Sequence, residues 1–330
     1  MSERSEQTID TVSAPSSAPE TGIATPAPVV SGRAVRRERG PSLVGGRGGF
    51  WFVLPFLVVY AAFIIWPLLY GLGLSFFDTS LVRSDAQFVG LENYAQLFSD
   101  PEVWRTLGVT LVFTGGSTIP LVLIALVMAL LVHTGVRGQW FWRFVYFAPF
   151  LLPVATVVLI WKWLYSGDYG LINAVLTGVG LPDVGWTTEP DVGLWSVVLL
   201  TVWWTVGFNF LLYLAALQAI PGHLYEAAAI DGAGGWRQLF SITLPMLTRT
   251  TGLVVVLQIL ASLKLFDQAY ILYNGSGGPG GSATPILQYV YDTGFVNYRL
   301  GYASAISYMF FVLIVVIALV QARLTTRRSA

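Results

Sequence analysis

Long apolar runs alternate with short polar segments along most of this chain. A helix that crosses a bilayer needs roughly 20 mostly apolar residues. Six stretches meet that requirement, at about 51–76, 107–132, 144–165, 194–218, 251–271 and 302–322. The pattern predicts an all-α integral membrane protein with six transmembrane helices. Residues 1–48 differ, being rich in Ser, Thr, Pro, Ala and Glu without the periodicity or apolar mass of a packed core. They are expected to be a disordered cytoplasmic tail ahead of a membrane domain over 49–330. The first apolar run is too long and too far along the chain for a cleaved signal sequence, so a retained helix is expected there.

Basic residues decide orientation, because Lys and Arg concentrate in short cytoplasmic segments. With the N-terminus inside, the cytoplasmic side receives Arg4, Arg33, Arg36, Arg37, Arg39, Arg47, Arg137, Arg143, Arg237, Arg249, Arg323, Arg327 and Arg328. The outer side receives only the arginines Arg83, Arg105 and Arg299. The outer loop at about 166–193 carries Asp168, Asp183, Glu189 and Asp191 and no basic residue. Both termini are therefore expected to be cytoplasmic, with the polar segment 219–249 on the same side.

Composition agrees with a bilayer protein. Charged residues make up 11% of the 330, hydrophobic residues 55%, and twelve are Trp. The formal net charge is zero, so nothing points to nucleic acid. Cysteine is absent, which removes disulfides, thiolate nucleophiles and Cys-based metal sites.

Segment 219–249 has a definite internal order. Pro221 suits a first helical turn, residues 222–231 are rich in Ala, and Gly232, Gly234 and Gly235 stop the helix. Trp236, Leu239, Phe240 and Thr243 then recur at i, i+3, i+4 and i+7, predicting a second short helix that Pro245 closes. Glu226, Ala227 and Ala228, followed by Gly232 and by Ile242, Leu244 and Pro245, resemble the EAA loop of ABC-importer permeases. That resemblance implies that the first helix sits in a groove of an ATPase subunit and that Glu226 pairs with a basic residue there. Asp231 is either part of the same coupling site or a plain helix-end residue. A helix lying on lipid headgroups is the competing reading, but residues 221–235 lack the Lys and Arg of such anchors.

Further groups resemble the carbohydrate branch of that family, related to maltose and glycerol-3-phosphate permeases, from about residue 50 onward. They are Phe88, Gly90, Leu91, Asn93 and Tyr94 before Trp104 and Arg105; Phe266, Asp267 and Tyr270 before Gly277, Gly278 and Pro279; and Gly301, Tyr302, Ala303, Ser304, Ala305 and Ser307. The resemblance implies the ABC type I importer permease architecture, a bacterial plasma (inner) membrane location and alternating access. It also implies a second homologous permease subunit, two copies of an ABC ATPase and an extracytoplasmic solute-binding protein as partners.

Polar groups inside spans are candidates for a solute path. Thr201, Thr205 and Asn209 share a face of the fourth span, flanked by Trp204 and Phe208. Hydroxyl and amide groups beside aromatic rings suit a sugar, whose hydroxyls need partners and whose C–H faces stack. Gln258 and Ser262 share a face of the fifth span near its expected midplane. Interhelical hydrogen bonding is the alternative role for all of these. Lys162 between Trp161 and Trp163 reads as an interfacial anchor. Lys264 and Asp267, at i and i+3, read as a structural pair near the outer surface, with a role in gating or substrate contact as the alternative.

Nothing points to an enzyme. His133 and His223 have no neighbours at metal-ligand spacing, no phosphate loop of the GxxxxGK[ST] type occurs, and no nucleophile–base arrangement is visible. No cofactor or metal is expected, and ATP hydrolysis is assigned to a separate chain. The reading is a permease subunit of a binding-protein-dependent importer for a sugar, an oligosaccharide by preference. The alternatives are glycerol-3-phosphate or a polyamine as cargo, or an ion-gradient-driven carrier, although no internal repeat is found.

Overall fold

The computed structural model describes residues 48–80, 82, 85–135 and 137–327. The tail before residue 48, with its arginines, and Arg83 and Arg328 lie outside the described residues. Residues 48–57 are the opening turns of a helix, Gly48–Tyr60, with exposed Phe50, Trp51, Phe52 and Phe56. Residues 58–327 belong to the second compact unit.

Among the described residues, five helices are long and apolar enough to cross a membrane: Phe50–Leu74, Pro101–His133, Pro190–Gln218, Gly235–Ser262 and Leu300–Arg323. The sixth span is a broken pair. The run expected as one helix at about 144–165 is instead Gln139–Phe147, a 3-10 turn Ala148–Leu151, and Val154–Leu164, bent by 98° at the break. Pro153 explains the interruption, because the residue before a proline is pushed out of the helical region; Leu152 sits at φ −78°, ψ 140°.

The fifth span also differs from its expected bounds of about 251–271. It starts at Gly235, passes through Pro245 and ends at Ser262. Pro245 therefore does not close a separate short helix. It has no N–H to give to Ser241, and the helix absorbs the loss as a π-turn, Leu239–Thr243, in which the Leu244 N–H reaches back to the Leu239 carbonyl. The first span uses the same device. Its π-turn Ala61–Ile65 precedes Pro67, with the Trp66 N–H on the Ala61 carbonyl.

Beyond Ser262 the chain breaks at Phe266 (φ −151°, ψ −68°) and restarts as Asp267–Leu272. That break separates Lys264 from Asp267, so helical i, i+3 spacing does not apply and no ion pair forms between them among the described residues. Lys162 instead donates to the Asn274 side chain at 2.7 Å.

The second and fourth spans share the most extensive interface. Phe113, Leu121, Ala125 and Ala129 of one meet Val197, Leu200, Phe210 and Leu217 of the other, with Leu247 and Val254 of the fifth span behind. Small residues set the spacing, as expected where lipid supplies no hydrophobic drive between helices. A Cβ on Gly207 would lie 2.2 Å from the Tyr146 carbonyl oxygen, so only glycine lets the broken span pack there.

The end of the bundle bearing Ser75, Pro101 and Leu300 is tied by the groups around Asn93 and Gly301. Asn93 donates to the carbonyls of Ser75 and Phe77, and Gly301 passes so close to the Phe77 carbonyl that a Cβ would sit 1.9 Å from it. Asp100 caps the second span through the Glu102 N–H and accepts from Tyr289 and Tyr302 at 2.8 and 2.6 Å. Burial alone would raise its carboxyl pKa, but these hydrogen bonds outweigh burial and hold it below the usual carboxylate value.

Candidate functional site

Six of the seven residues expected along a solute path line one cavity of about 210 Å³: Thr201, Thr205, Phe208, Asn209, Gln258 and Ser262. Helical periodicity brings the fourth-span residues onto a single face, and the fifth span lies against that face. Gln258 and Ser262 are not near the middle of their helix. With its true bounds at Gly235 and Ser262, they occupy its last turns. Trp204 is turned elsewhere, its indole N–H donating to the Leu152 carbonyl at 3.2 Å and so satisfying a backbone group freed by the broken span.

Inside the site the polar groups are joined. Asn209 donates to the Gln258 oxygen at 2.9 Å, Gln258 donates to Ser262 at 3.0 Å, and Ser262 shares a 2.9 Å hydrogen bond with Ser117 of the second span. Thr205 bonds back to the Thr201 carbonyl at 2.8 Å, whereas the buried Thr201 hydroxyl has no partner among the described residues. Unmet hydrogen-bonding capacity next to a cavity is what an entering hydroxylated solute would satisfy.

Phe113, Phe150, Leu257, Ala261, Leu265 and Gln268 complete the lining, and none of them is among the residues expected from the sequence. Phe150 stacks on Phe208 with ring centroids 5.4 Å apart. Ser117 was also missed, although a signal existed: Thr106, Thr110, Thr114 and Ser117 form a polar stripe at helical spacing on the second span. Most of that stripe turns inward, each threonine bonding the carbonyl four residues back, and Thr110 also accepts the Ile286 N–H.

The second candidate is the segment between the fourth and fifth spans. Its helix is Gly222–Ile230, close to the expected 222–231. Gly232 ends it at φ +75°, with the Ala233 N–H on the Ala228 carbonyl and the Gly232 N–H on the Ala229 carbonyl. This paired closure needs a left-handed residue, which explains a glycine four places after Ala228. Asp231 is the last residue of the closing turn, its N–H on the Ala227 carbonyl. Glu226, Ala227, Asp231 and Gly232 are exposed and Ala228 is half-buried.

Two hydrogen bonds fix this helix to the fifth span: Tyr225 to Thr243 at 2.9 Å, and the Gln238 side chain to the Ala233 carbonyl at 3.0 Å. Trp236 and Phe240 are exposed and stacked on each other, and Ile230 is 87% exposed. The segment thus offers a small-residue helix, two exposed carboxylates and an apolar patch, all joined to a span.

Residues 121–330 match the family model described as "Binding-protein-dependent transport system inner membrane component". The sulfoquinovosyl glycerol transport system permease protein SmoG of Agrobacterium fabrum is 33% identical over 271 residues, covering 82% of this chain and 87% of the relative. The trehalose/maltose transport system permease protein MalF of Thermococcus litoralis is 35% identical over 269 residues, covering 81% and 89%. The fold is shared with a chain in the crystal structure of a bacterial alginate ABC transporter in complex with an alginate pentasaccharide-bound periplasmic protein. There the TM-score is 0.72 at 24% identity, with 84% of this chain and 93% of that chain covered.

Proposed function

The chain belongs to the inner membrane component family of binding-protein-dependent transport systems, and from that premise we propose that it is the permease subunit of an ATP-driven importer for a carbohydrate, an oligosaccharide by preference. It is a transport subunit rather than an enzyme. The observation that carries the cargo assignment is the chemistry of the cavity, whose lining combines amides, hydroxyls and phenyl rings with aliphatic Leu257, Ala261 and Leu265 and has no ionisable side chain. Such a surface can pair with sugar hydroxyls and stack on sugar C–H faces without a charge to satisfy. A phosphate ester would ask for a cation there, and a polyamine for carboxylates; the lining offers neither. The permease relatives named for sulfoquinovosyl glycerol and for trehalose and maltose support the same class.

At about 210 Å³ the cavity is smaller than the ~300–1,000 Å³ usual for small-molecule sites. It serves in this reading as one wall of a path whose other wall comes from a second, homologous permease. Two ATPase copies and an extracytoplasmic binding protein complete the assembly, with both termini of this chain in the cytoplasm. ATPase closure pushes on the Gly222–Ile230 helix, and the Tyr225–Thr243 and Gln238–Ala233 bonds pass that push to the fifth span. Through Gln258 and Ser262 the fifth span then moves the cavity wall.

The test is ligand-stimulated ATPase activity of the co-purified assembly across a panel of neutral sugars, uronic acids, glycerol-3-phosphate and polyamines, with Glu226→Ala beside the parent. Stimulation by a sugar is expected. Glu226→Ala is expected to insert normally but to weaken ATPase attachment or stimulation roughly tenfold, the worth of one charge-assisted hydrogen bond. Full stimulation in the variant would remove Glu226 from the coupling role.

A further inference from the structure

We propose that Gln139–Leu151, the first half of the broken third span, is an in-plane helix that seats in the anionic phospholipid interface on the coupling-loop side of the membrane.

Direction comes first. The second half, Val154–Leu164, runs along the fourth span: Trp161 packs on Trp203 at 5.8 Å, and Tyr165 donates to the Ser196 carbonyl at 2.8 Å. The first half is turned 98° from that line, so it lies across the fourth span instead of along it. It crosses at Gly207–Phe210, where Tyr146 meets Phe210 at 5.4 Å and the Gly207 surface admits the Tyr146 carbonyl. That crossing is eight residues, about 12 Å, from the end of the fourth span at Gln218, and so close to the end that carries the coupling segment.

Surface chemistry comes second. Trp140, Phe141, Phe144 and Leu151 are 73, 53, 58 and 62% exposed. Tryptophans and phenylalanines on one face of a helix lying across a bundle match the headgroup–acyl boundary, where aromatic rings concentrate. Beside that face, half-buried Arg143 bonds Gln139 at 3.3 Å, and no carboxylate pairs with it among the described residues. Arg137, exposed, precedes the helix. Between Glu102 and Asp168 the chain carries no carboxylate at all, so this stretch presents uncompensated positive charge beside an aromatic face. Lipid phosphates complement that charge, and the aromatic face gives the acyl boundary as occupant in preference to a polar protein surface.

This chain has no native cysteine, so with cysteine-free partner subunits each label reports a single site. Spin labels on Trp140→Cys, Phe144→Cys and Leu151→Cys are read one at a time for depth, by oxygen against nickel-chelate accessibility. The sample is the assembled transporter in nanodiscs of phosphatidylethanolamine and phosphatidylglycerol. All three labels are expected to be open to oxygen and to agree in depth within about 5 Å. A depth gradient of about 16 Å across the eleven residues would make this segment an ordinary spanning helix, and labels shielded from both reagents would make it a protein contact; either overturns the proposal. In the same nanodiscs Arg137→Gln with Arg143→Gln is expected to lower retained phosphatidylglycerol at least twofold. Unchanged retention, or displacement of the lipid by inorganic phosphate, overturns the headgroup assignment.

Discussion

Glycine shows most sharply how single residues decide packing here. Gly301 and Gly108 both sit in long helices, yet a Cβ on Gly301 would lie 1.9 Å from the Phe77 carbonyl oxygen, and one on Gly108 would meet nothing within 4 Å. Backbone cannot yield the way a flexible side chain does, so Gly301→Ala must push the last span away from the Phe77–Asp78 strand. It thereby strains Asn93 and Tyr302, which tie the same corner. Overpacking of this kind costs ~1–3 kcal/mol, and the melting temperature of the purified chain is expected to fall by roughly 5–10 °C. Gly108→Ala is expected to leave it unchanged or raise it slightly, since alanine is the better helix former. Equal shifts for the two would mean that the close approach at Gly301 does not matter. The sequence marked Gly301 only as part of a resemblance; its physical reason needs the Phe77 carbonyl, a neighbour far away in the chain that no spacing rule can reveal.

At the level of elements, legibility followed the range of the forces involved. Apolar length located every span, and capping chemistry located Gly222–Ile230 to within a residue, because both are local. Prolines misled. Pro245 reads as a stop but is absorbed in a π-turn, where the Leu244 N–H reaches the Leu239 carbonyl, while Pro153, inside an apolar run, breaks its span. The bounds of the fifth span moved as a result, carrying Gln258 and Ser262 to its end while keeping them opposite Asn209. That contact raises the question left open by composition, whether these amides hold helices or hold solute. Removing Asn209 alone leaves the Gln258 oxygen unpaired in a buried site, and removing Gln258 alone strands the Asn209 amide. Asn209→Leu with Gln258→Leu should therefore cost less than the two singles combined, by about 0.5–1.5 kcal/mol in a denaturant unfolding cycle. If the pair also forms the path, the folded double variant is expected to lose sugar-stimulated ATPase activity. A stable double variant with full stimulation would reduce the amides to helix glue.

Across the whole molecule, charge is segregated by end. Helices joined in series alternate direction, so the 219–234 segment lies at the end opposite Asp78, Asp100, Asp168 and Asp292. After residue 48, Glu226 and Asp231 are the carboxylates of the coupling end, against Arg137, Arg143, Arg237 and Arg323. Insertion machinery and membrane potential both retain such an arginine-rich end in the cytoplasm. The two isolated carboxylates there stand out against that background, which fits Glu226 facing a basic partner better than facing anionic lipid. The proposed orientation has a direct consequence for labelling. With no native cysteine, Leu91→Cys and Val179→Cys, 68 and 70% exposed, are expected to react with a membrane-impermeant maleimide in intact cells. Trp236→Cys, 77% exposed, should react only in inside-out vesicles stripped of peripheral subunits. Restoring the ATPase should then protect Trp236→Cys, since the stacked Trp236–Phe240 patch borders the coupling helix. Labelling of that cysteine from outside the cell would place the coupling segment where no ATP is available, and the importer reading would fail with it.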